Sequence, residues 1–314
     1  MAVIVAIGSS VEVHAGIVLH VSGYTDQAVT TISGTNSFGS ITDDGAGNIY
    51  FTGASTRNVY RHNAGGTASL ESLNSIPLGI ELVGNDLYVG TNIGEIYRLD
   101  TTNPGAGATL VENIGGELMG MAVAPSTFGA YAGQLIISSR DKVVAFDTVT
   151  STSSTVYSGS GLYPALAFGG KGLFVADYSD RQLFNLTSTG FYRPFAPMSG
   201  SPGGIAINPN SGEVFIANES AGAIDRYSRQ GRYLGRFASN VSWDGGYYPS
   251  FFSFTRDGSA LLYGERRIGD PNVGIRQITG FEVAAVPEPS TFASGLLGVA
   301  LIGAGWLRRR RRAA

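Results

Sequence analysis

Few residues of this 314-residue chain have the types and spacing that catalysis or metal binding requires. The chain has no cysteine, which excludes disulfides, thiol nucleophiles and cysteine-bound zinc or iron–sulfur sites. Its three histidines, His14, His20 and His62, are too few for a histidine-rich metal site. The sequence also lacks a Gly-x-Ser-x-Gly elbow, a Walker loop and a His-Glu-x-x-His motif. No recognisable nucleophile–base pair remains, and we therefore expect no catalytic residue.

The run from Asp43 to Asn48 superficially resembles a calcium-binding loop, because it begins with two aspartates and contains two glycines. It lacks the alternating ligand spacing and the distal glutamate that such a loop needs. The run therefore predicts a hairpin turn rather than a cation site.

The C-terminal end combines three features in a fixed order. These are Val286-Pro287-Glu288-Pro289, an uncharged stretch at 291–307, and five consecutive arginines, Arg308, Arg309, Arg310, Arg311 and Arg312. Seventeen helical residues span about 25 Å, close to the roughly 30 Å hydrocarbon core of a bilayer. The stretch predicts a single transmembrane helix with the arginines in the cytoplasm. The alternative is a buried core helix, which the adjoining arginines disfavour.

Together, these three features resemble the PEP-CTERM sorting signal of exported bacterial proteins, which exosortases recognise. The resemblance implies a Gram-negative, exopolysaccharide-producing bacterium, with exosortase and the membrane bilayer as partners during sorting. It implies export across the inner membrane, processing near Pro287-Glu288-Pro289, and a cell-envelope or extracellular location with at least transient anchoring. It says nothing about the activity of the rest of the chain.

The N-terminal residues 1–15 are interpreted as the remnant of a signal peptide. The apolar run Ala2 to Ile7 is short and has no lysine or arginine before it, but Val13-His14-Ala15 has the small-residue pattern of a cleavage site. A start codon assigned too far downstream explains both observations. The alternative is a leading β-strand.

The composition predicts a β-rich body with many short strands and turns. Glycine accounts for 45 residues, and charged residues make up only 14% of the chain, against roughly 25% in ordinary proteins. The net charge is −3, and without the five terminal arginines it becomes −8. A body of that sign is a poor partner for nucleic acid.

One unit of an apolar strand, a glycine turn and further strands recurs six times in the body. The third residues of the six second strands are separated by 38, 48, 38, 41 and 47 positions; these residues are Tyr50, Tyr88, Ile136, Phe174, Phe215 and Leu262. This period is typical of one four-stranded blade. The fold class predicted for residues 16–285 is all-β, a six-bladed β-propeller, with seven blades as the alternative. The segments Ile17–Val21 and Ala28–Ile32 are predicted to complete the last blade and close the ring.

The unit that starts at Gly203, GGIAINPNSGEVFIANES, resembles the NHL repeat and, more loosely, the blades of regucalcin- and gluconolactonase-type propellers. Gluconolactonase-like propellers hold one divalent cation in the channel with Glu, Asn and Asp side chains, and such hard oxygen ligands suit calcium. The resemblance implies four candidate ligands: Glu81, Glu117, Asp177 and Asn218. An alternative role for Asp177 and Asn218 is to hydrogen-bond the backbone of a turn.

Aromatic residues cluster in the loops that lead into the inner strands, namely Phe38, Tyr163, Trp243, Tyr247 and Tyr248. Exposed aromatic rings at one face of a propeller can stack on sugar rings, whereas the alternative is that they pack against neighbouring blades. We therefore expect an exported protein that binds exopolysaccharide and needs no cofactor. The alternative is a metal-dependent, lactonase-like hydrolase with one calcium ion in the channel.

Overall fold

The computed structural model describes residues 17–35, 37–170, 172–242, 252–266 and 272–282. The proposed signal remnant at 1–15, the aromatic residues Trp243, Tyr247 and Tyr248, and everything from 283 onward lie outside these residues. The sorting motif at Val286–Pro289, the predicted helix at 291–307 and the arginines at 308–312 are therefore outside them too. Within the described part of the chain, no helix is long and apolar enough to cross a membrane.

The described residues form six β-sheets arranged as the blades of a propeller, which confirms the predicted fold class and blade number. Two strands, β1 (Val18–Leu19) and β2 (Thr25–Ile32), precede the first blade. Blade one consists of β3 (Phe38–Asp43), β4 (Ile49–Gly53), β5 (Asn58–Asn63) and β6 (Gly66–Ser72). Blade two consists of β7 (Pro77–Val83), β8 (Asp86–Thr91), β9 (Glu95–Asp100) and β10 (Thr109–Asn113). Blade three consists of β11 (Met121–Val123), β12 (Leu135–Ser138), β13 (Lys142–Asp147) and β14 (Thr152–Ser158).

Blades four to six follow the same order. Blade four consists of β15 (Leu166–Gly169), β16 (Gly172–Asp177), β17 (Gln182–Leu186) and β18 (Tyr192–Pro197). Blade five consists of β19 (Pro202–Ile207), β20 (Val214–Asn218), β21 (Ala223–Tyr227) and β22 (Tyr233–Ser239). Blade six contains β23 (Phe252–Phe254), β24 (Ala260–Arg266) and β25 (Val273–Thr279). Short 3-10 helices occupy Pro104–Ala106, Gly129–Tyr131 and Glu219–Ala221. Neighbouring strands within each blade pair antiparallel, and the first strand of each blade lies innermost.

The N-terminal strands close the ring, as the sequence predicts, but they are shared between two blades. Strand β2 pairs with β25 from Thr25 opposite Thr279 to Ile32 opposite Val273, and so supplies the fourth strand of blade six. Strand β1 instead pairs with β22 and adds a fifth strand to blade five. The expectation that both segments complete the last blade is therefore wrong for β1. Pairing with both blades satisfies backbone groups on the two sheet edges nearest the closure.

Glycines in the inner strands allow the blades to converge around the axis. A Cβ atom at Gly39 would lie 2.4 Å from the carbonyl oxygen of Leu78, and one at Gly79 would lie 2.7 Å from that of Met119. At Gly120 the nearest atom would be the amide nitrogen of Leu166, at 2.8 Å. Side chains at these positions would push neighbouring blades apart. The high glycine content therefore serves packing around the axis as well as turns.

Apolar side chains fill the spaces between neighbouring blades. The cluster between blades five and six contains Phe215, Phe237, Phe254 and Phe281, whose rings contact one another edge-on or tilted at centroid distances of 4.8 to 5.9 Å. Each fully buried ring of this size stabilises the fold by about 1.5–3 kcal/mol. The packing between blades therefore holds the loops at both ends of the strands in fixed positions.

Candidate functional site

The axis of the propeller contains a cavity of about 230 Å³. All six inner strands, or the residues next to them, contribute to its wall, which is built mainly from Gly, Ala, Ile, Met, Pro and Phe. Among the described lining residues, Glu81 and Arg256 are the charged ones. This cavity is the channel for which the sequence analysis gave a cation site as the alternative.

The two ends of the channel open on different faces of the propeller. We call the hairpin face the one formed by the turns that join the first to the second strand, and the third to the fourth strand, of each blade. The entry face is the opposite one, where the inner strands begin. Glu81 pairs with Tyr88 near the end of β7, and therefore lies toward the hairpin face.

The other three candidate metal ligands lie on the entry face, and each has a protein partner. Glu117 Oε2 accepts hydrogen bonds from the Arg140 guanidinium at 3.2 and 3.3 Å. Asp177 Oδ1 accepts one from the backbone N–H of Asp180 at 3.0 Å, as the turn alternative predicts. Asn218 Nδ2 donates to Asp225 Oδ2 at 2.8 Å.

These positions do not form one ligand set. Glu81 stands four residues beyond Pro77, the residue at which β7 begins at the entry face, and four strand residues span about 13 Å. Calcium ligands lie only 2.3–2.6 Å from the ion, so Glu81 and the entry-face residues cannot share one cation. No group of three His, Cys, Asp or Glu side chains in the described ranges is placed to hold a metal. The geometry therefore gives no support to the calcium alternative.

Glu81 has a polar environment of its own at the end of the channel. Its Oε1 atom accepts a hydrogen bond from the Leu82 N–H at 3.1 Å and a longer one from Thr42 Oγ1 at 3.4 Å. Arg256 Nη2 lies 3.6 Å from the same oxygen. Burial raises the pKa of Glu81 to about 7, although the Arg256 charge and both hydrogen bonds act to lower it. Glu81 can therefore gain or lose a proton near neutral pH.

Arg256 joins three blades around this carboxyl group. Its backbone N–H donates to Asp43 Oδ1 at 2.9 Å and its Nε donates to the Asp43 carbonyl at 2.8 Å, which links blade six to blade one. Its Nη2 donates to the Leu82 carbonyl of blade two at 2.9 Å. The contacts fix Arg256 beside Glu81, and most of its donors are used by the protein. This arrangement is typical of a structural junction.

A larger cavity, of about 610 Å³, opens on the hairpin face between blades three, four and five. We call it the groove. It is lined by Pro125, Thr127, Phe128, Phe168, Gly169, Gly170, Gly172, Thr187, Ser188, Ile207, Asn208, Pro209 and Gly212. None of these residues carries a charge; Lys171 lies outside the described residues. Phe168, Ile207 and Pro209 also line the channel, so the two cavities adjoin.

The chemistry of the groove suits an uncharged ring that carries hydroxyl groups. Phe128 and Phe168 meet edge-on with their centroids 4.9 Å apart, and Phe168 remains partly exposed. Hydroxyls of Thr127, Thr187 and Ser188 lie in the same lining as four glycines, whose backbone a ligand can approach closely. The volume falls within the range of about 300–1,000 Å³ that small-molecule sites occupy.

The predicted aromatic face is corrected for the two residues that the structure describes. Phe38 is only 3% exposed and lies in a core cluster with Ile275 of blade six, and Tyr163 is 2% exposed and contacts Tyr157 of blade three. Both lie near the start of inner strands, where converging blades enclose them. Packing against neighbouring blades, the alternative for these residues, is what the structure shows. Trp243, Tyr247 and Tyr248 remain part of the prediction only, since they lie outside the described residues.

The groove residues were not identified from the sequence. Phe128 belongs to an insertion in the third unit, where the spacing between second strands rises from 38 to 48 residues. The insertion places the helix Gly129–Tyr131 at the hairpin face. An aromatic residue inside a repeat-length irregularity was therefore the available signal. Phe168 follows the ordinary alternation of an inner strand, so nothing in the sequence distinguished it as a groove residue.

The C-terminal end matches a known family model. Residues 285–312 match the PEP-CTERM protein-sorting motif. The chain carries a PEP-CTERM sorting signal. The signal implies export of the protein. Because the match covers the tail alone, it leaves the activity of the propeller open. No curated protein sequence matches the chain.

Solved structures similar to this chain share its propeller fold. Regucalcin from Agrobacterium tumefaciens, described as a calcium-binding protein, has a TM-score of 0.65 and 17% identity, over 83% of this chain and 95% of its own. A luciferin-regenerating enzyme has a TM-score of 0.63 and 13% identity, over 84% and 98%. A gluconolactonase from Xanthomonas campestris has a TM-score of 0.61 and 12% identity, over 82% and 95%. At these identities the likeness shows the fold alone.

Proposed function

We propose that this protein is an exported, exosortase-sorted propeller that binds exopolysaccharide in the groove on its hairpin face. The sorting signal at 285–312 implies export and anchoring in the cell envelope. A protein delivered there meets the polysaccharides that the cell secretes. The observation that carries the proposal is the groove itself, with the partly exposed ring of Phe168 beside hydroxyl and backbone groups.

The expected strength of such a site is modest for one sugar unit and larger for a polymer. Aromatic stacking contributes about 0.5–1.5 kcal/mol, and each hydrogen bond contributes a similar net amount. A few such contacts give about 4–6 kcal/mol, which corresponds to a dissociation constant between about 1 mM and tens of micromolar. Repeated units on a polymer, presented to many anchored copies, increase the overall affinity by multivalency.

The alternative, a metal-dependent lactonase-like hydrolase, has weaker support in the site geometry. A channel enzyme of this kind needs oxygen ligands that converge on one point, whereas Glu81 is separated from Glu117, Asp177 and Asn218 by the length of an inner strand. Binding to exopolysaccharide should therefore be unchanged by a chelator. Loss of binding in the chelator, or calcium-dependent lactone hydrolysis, would favour the enzyme.

The groove can be tested by filling it without disturbing the fold. A Cβ at Gly170 would have no heavy atom within 4 Å, and the backbone there is not left-handed, so Gly170→Trp should place an indole in the groove. Gly105, in the helix Pro104–Ala106 of blade two, is equally open and provides the matched control Gly105→Trp.

The two full-length variants should differ in pull-down on the host exopolysaccharide. We expect Gly170→Trp to bind at least tenfold more weakly than wild type, and Gly105→Trp to bind as wild type does. Equal melting temperatures would show that both variants are folded. Wild-type binding by a folded Gly170→Trp variant would refute the groove as the binding site.

In the same proposal, residues 291–307 span the inner membrane during sorting and Arg308–Arg312 remain in the cytoplasm. The PEP-CTERM match motivates this arrangement, because processing by exosortase would remove the arginines from the mature protein. Intact mass of the protein released by its native host should fall short of the full chain. Detection of residues 308–312 on released protein would contradict the proposed processing.

A further inference from the structure

Two exposed arginines lie on a hydrogen-bonded turn at the hairpin face. The turn spans 228–232 and joins β21 to β22; we call it the arginine turn. Gly231 N–H donates to the Ser228 carbonyl at 2.9 Å, and Ser228 N–H donates to the Arg232 carbonyl at 2.8 Å. Ser228 Oγ accepts from the N–H groups of Gln230 and Arg232, both at 3.2 Å. Arg229 and Arg232 are therefore presented to solvent from a fixed backbone.

The arginine turn adjoins the groove. A Cβ at Gly212, which lines the groove, would lie 3.6 Å from Arg229 Cβ and 3.7 Å from its Cδ. A Cβ at Gly231 would lie 2.7 Å from the carbonyl oxygen of Phe195 on β18, so the turn also packs on blade four. A ligand that leaves the groove past Gly212 reaches the stem of Arg229.

The neighbouring turn of blade four supplies an exposed aromatic ring. It runs from the groove residues Thr187 and Ser188 to Phe191, which is 66% exposed. The Thr187 N–H donates to the Phe191 carbonyl at 3.0 Å, and Phe191 N–H donates to Thr187 Oγ1 at 3.2 Å. The rim of the groove therefore presents a ring as well as the guanidinium groups.

The charge of these arginines is not neutralised within the part of the chain that the structure describes. Five other arginines form ion pairs with carboxylates, namely Arg140, Arg226, Arg236, Arg256 and Arg276. No ion pair joins Arg229 or Arg232 to a described carboxylate. Although the net charge outside the tail is −8, these two arginines lie at the edge of a groove whose described lining residues carry no charge.

We propose that the ligand is an acidic polysaccharide, with a sugar ring in the groove and a carboxylate or sulfate group on Arg229 and Arg232. This rests on the proposed function and adds the charge of the ligand to it. Guanidinium groups bind carboxylates and sulfates through paired N–H donors, which favours arginine over lysine at such a position. Repulsion by the acidic body then restricts an acidic chain to this part of the surface.

The test uses one polymer in charged and uncharged forms. The probes are polygalacturonate and its methyl ester. The protein is the full-length chain in mild detergent, with Arg308–Arg312 replaced by glutamine in wild type and variants alike, because five consecutive arginines would bind a polyanion themselves. Wild type should bind the acid form about tenfold more tightly than the ester at low salt, and the preference should shrink as salt screens the charges. The double variant Arg229→Gln/Arg232→Gln should bind both forms as wild type binds the ester. Arg98→Gln, an exposed arginine on β9, is the matched control and should keep the preference.

Two separate failures can be told apart. A double variant that keeps the preference for polygalacturonate, or a wild type that shows none, overturns the proposal for the arginine turn while leaving the groove untouched. Gly170→Trp addresses the groove and should weaken binding to both forms. Unchanged binding by a folded Gly170→Trp variant overturns the proposed function instead.

Discussion

Arg276 on β25 holds Asp26 on β2 across the closure of the ring, although 250 positions separate them in the sequence. The Arg276 Nε donates to both carboxylate oxygens at 3.1 and 3.2 Å, and its Nη2 pairs with Asp26 Oδ2. The buried phenol of Tyr263 donates to Asp26 Oδ1 at 2.8 Å. One aspartate from the N-terminal strand thus satisfies two partners from the last blade.

Asp26→Asn should destabilise the propeller strongly for a single polar substitution. The side chains of Asp26 and Arg276 are 12% and 21% exposed, so the variant leaves a largely buried guanidinium with one remaining counter-charge, the Glu265 carboxylate at 3.6 Å. Removing one partner of a buried pair costs about 3–5 kcal/mol, and the residual exposure and the remaining Glu265 partner reduce this to about 1–3 kcal/mol. Urea unfolding of the two proteins measures the difference.

Glu117→Gln is the matched control for Asp26→Asn, because it removes a carboxylate whose partner Arg140 is 57% exposed. Exposed pairs of this kind contribute less than about 1 kcal/mol. If Asp26→Asn lowers the free energy of unfolding no more than Glu117→Gln does, the closure does not depend on the Asp26–Arg276 pair.

The stability of the protein should fall between about pH 4.5 and pH 7 because of Glu81. The ordinary pKa of a glutamate is 4.5, and burial raises that of Glu81 to about 7 in the folded protein. In this window the folded protein retains a proton that the unfolded chain has lost, so the free energy of unfolding decreases as the pH rises. The full window corresponds to about 3 kcal/mol.

Glu81→Gln isolates this contribution, since it keeps the shape of the side chain and removes its titration. Melting temperatures of both proteins should be compared from pH 4 to pH 8. We expect the melting temperature of the variant to rise steadily relative to that of wild type as the pH increases from 4.5 to 7. A constant difference between the two curves would contradict the raised pKa.

Deleting residues 287–314 should leave the melting temperature of the propeller unchanged and release the protein from the membrane fraction. If 291–307 were a core helix, its loss would remove several buried side chains at about 1.5–3 kcal/mol each, comparable to the total stability of a domain. Thermal unfolding of the truncated chain decides between the two. An unfolded body would show that the segment belongs to the core.

The repeat spacing predicted the blades well, because hairpin turns and strand alternation are local properties. The closure by β2 was also predictable, since the last unit lacks an outer strand. The two-residue strand β1 was not, because its pairing with Ala238 and Ser239 depends on how close blades five and six lie at the closure.

The site was harder to predict because its geometry is set only by the assembled ring. Residues of similar chemistry, such as Glu81 and Asp177, lie at opposite ends of the channel, and strand boundaries accurate to a residue or two are needed to see this. Burial of Phe38 and Tyr163 depends on neighbouring blades rather than on their own loops. The groove is formed by turns of three blades, and no single repeat contains it.

The most direct test of binding at the hairpin face is amide hydrogen exchange of the full-length protein with and without host exopolysaccharide. The polysaccharide should slow exchange in the groove segments 125–131, 187–191 and 207–212 and in the arginine turn at 228–232. Segments of the entry face at 161–163 and 218–222 should exchange as before. Slower exchange confined to the entry face, with the groove segments unchanged, would contradict the account.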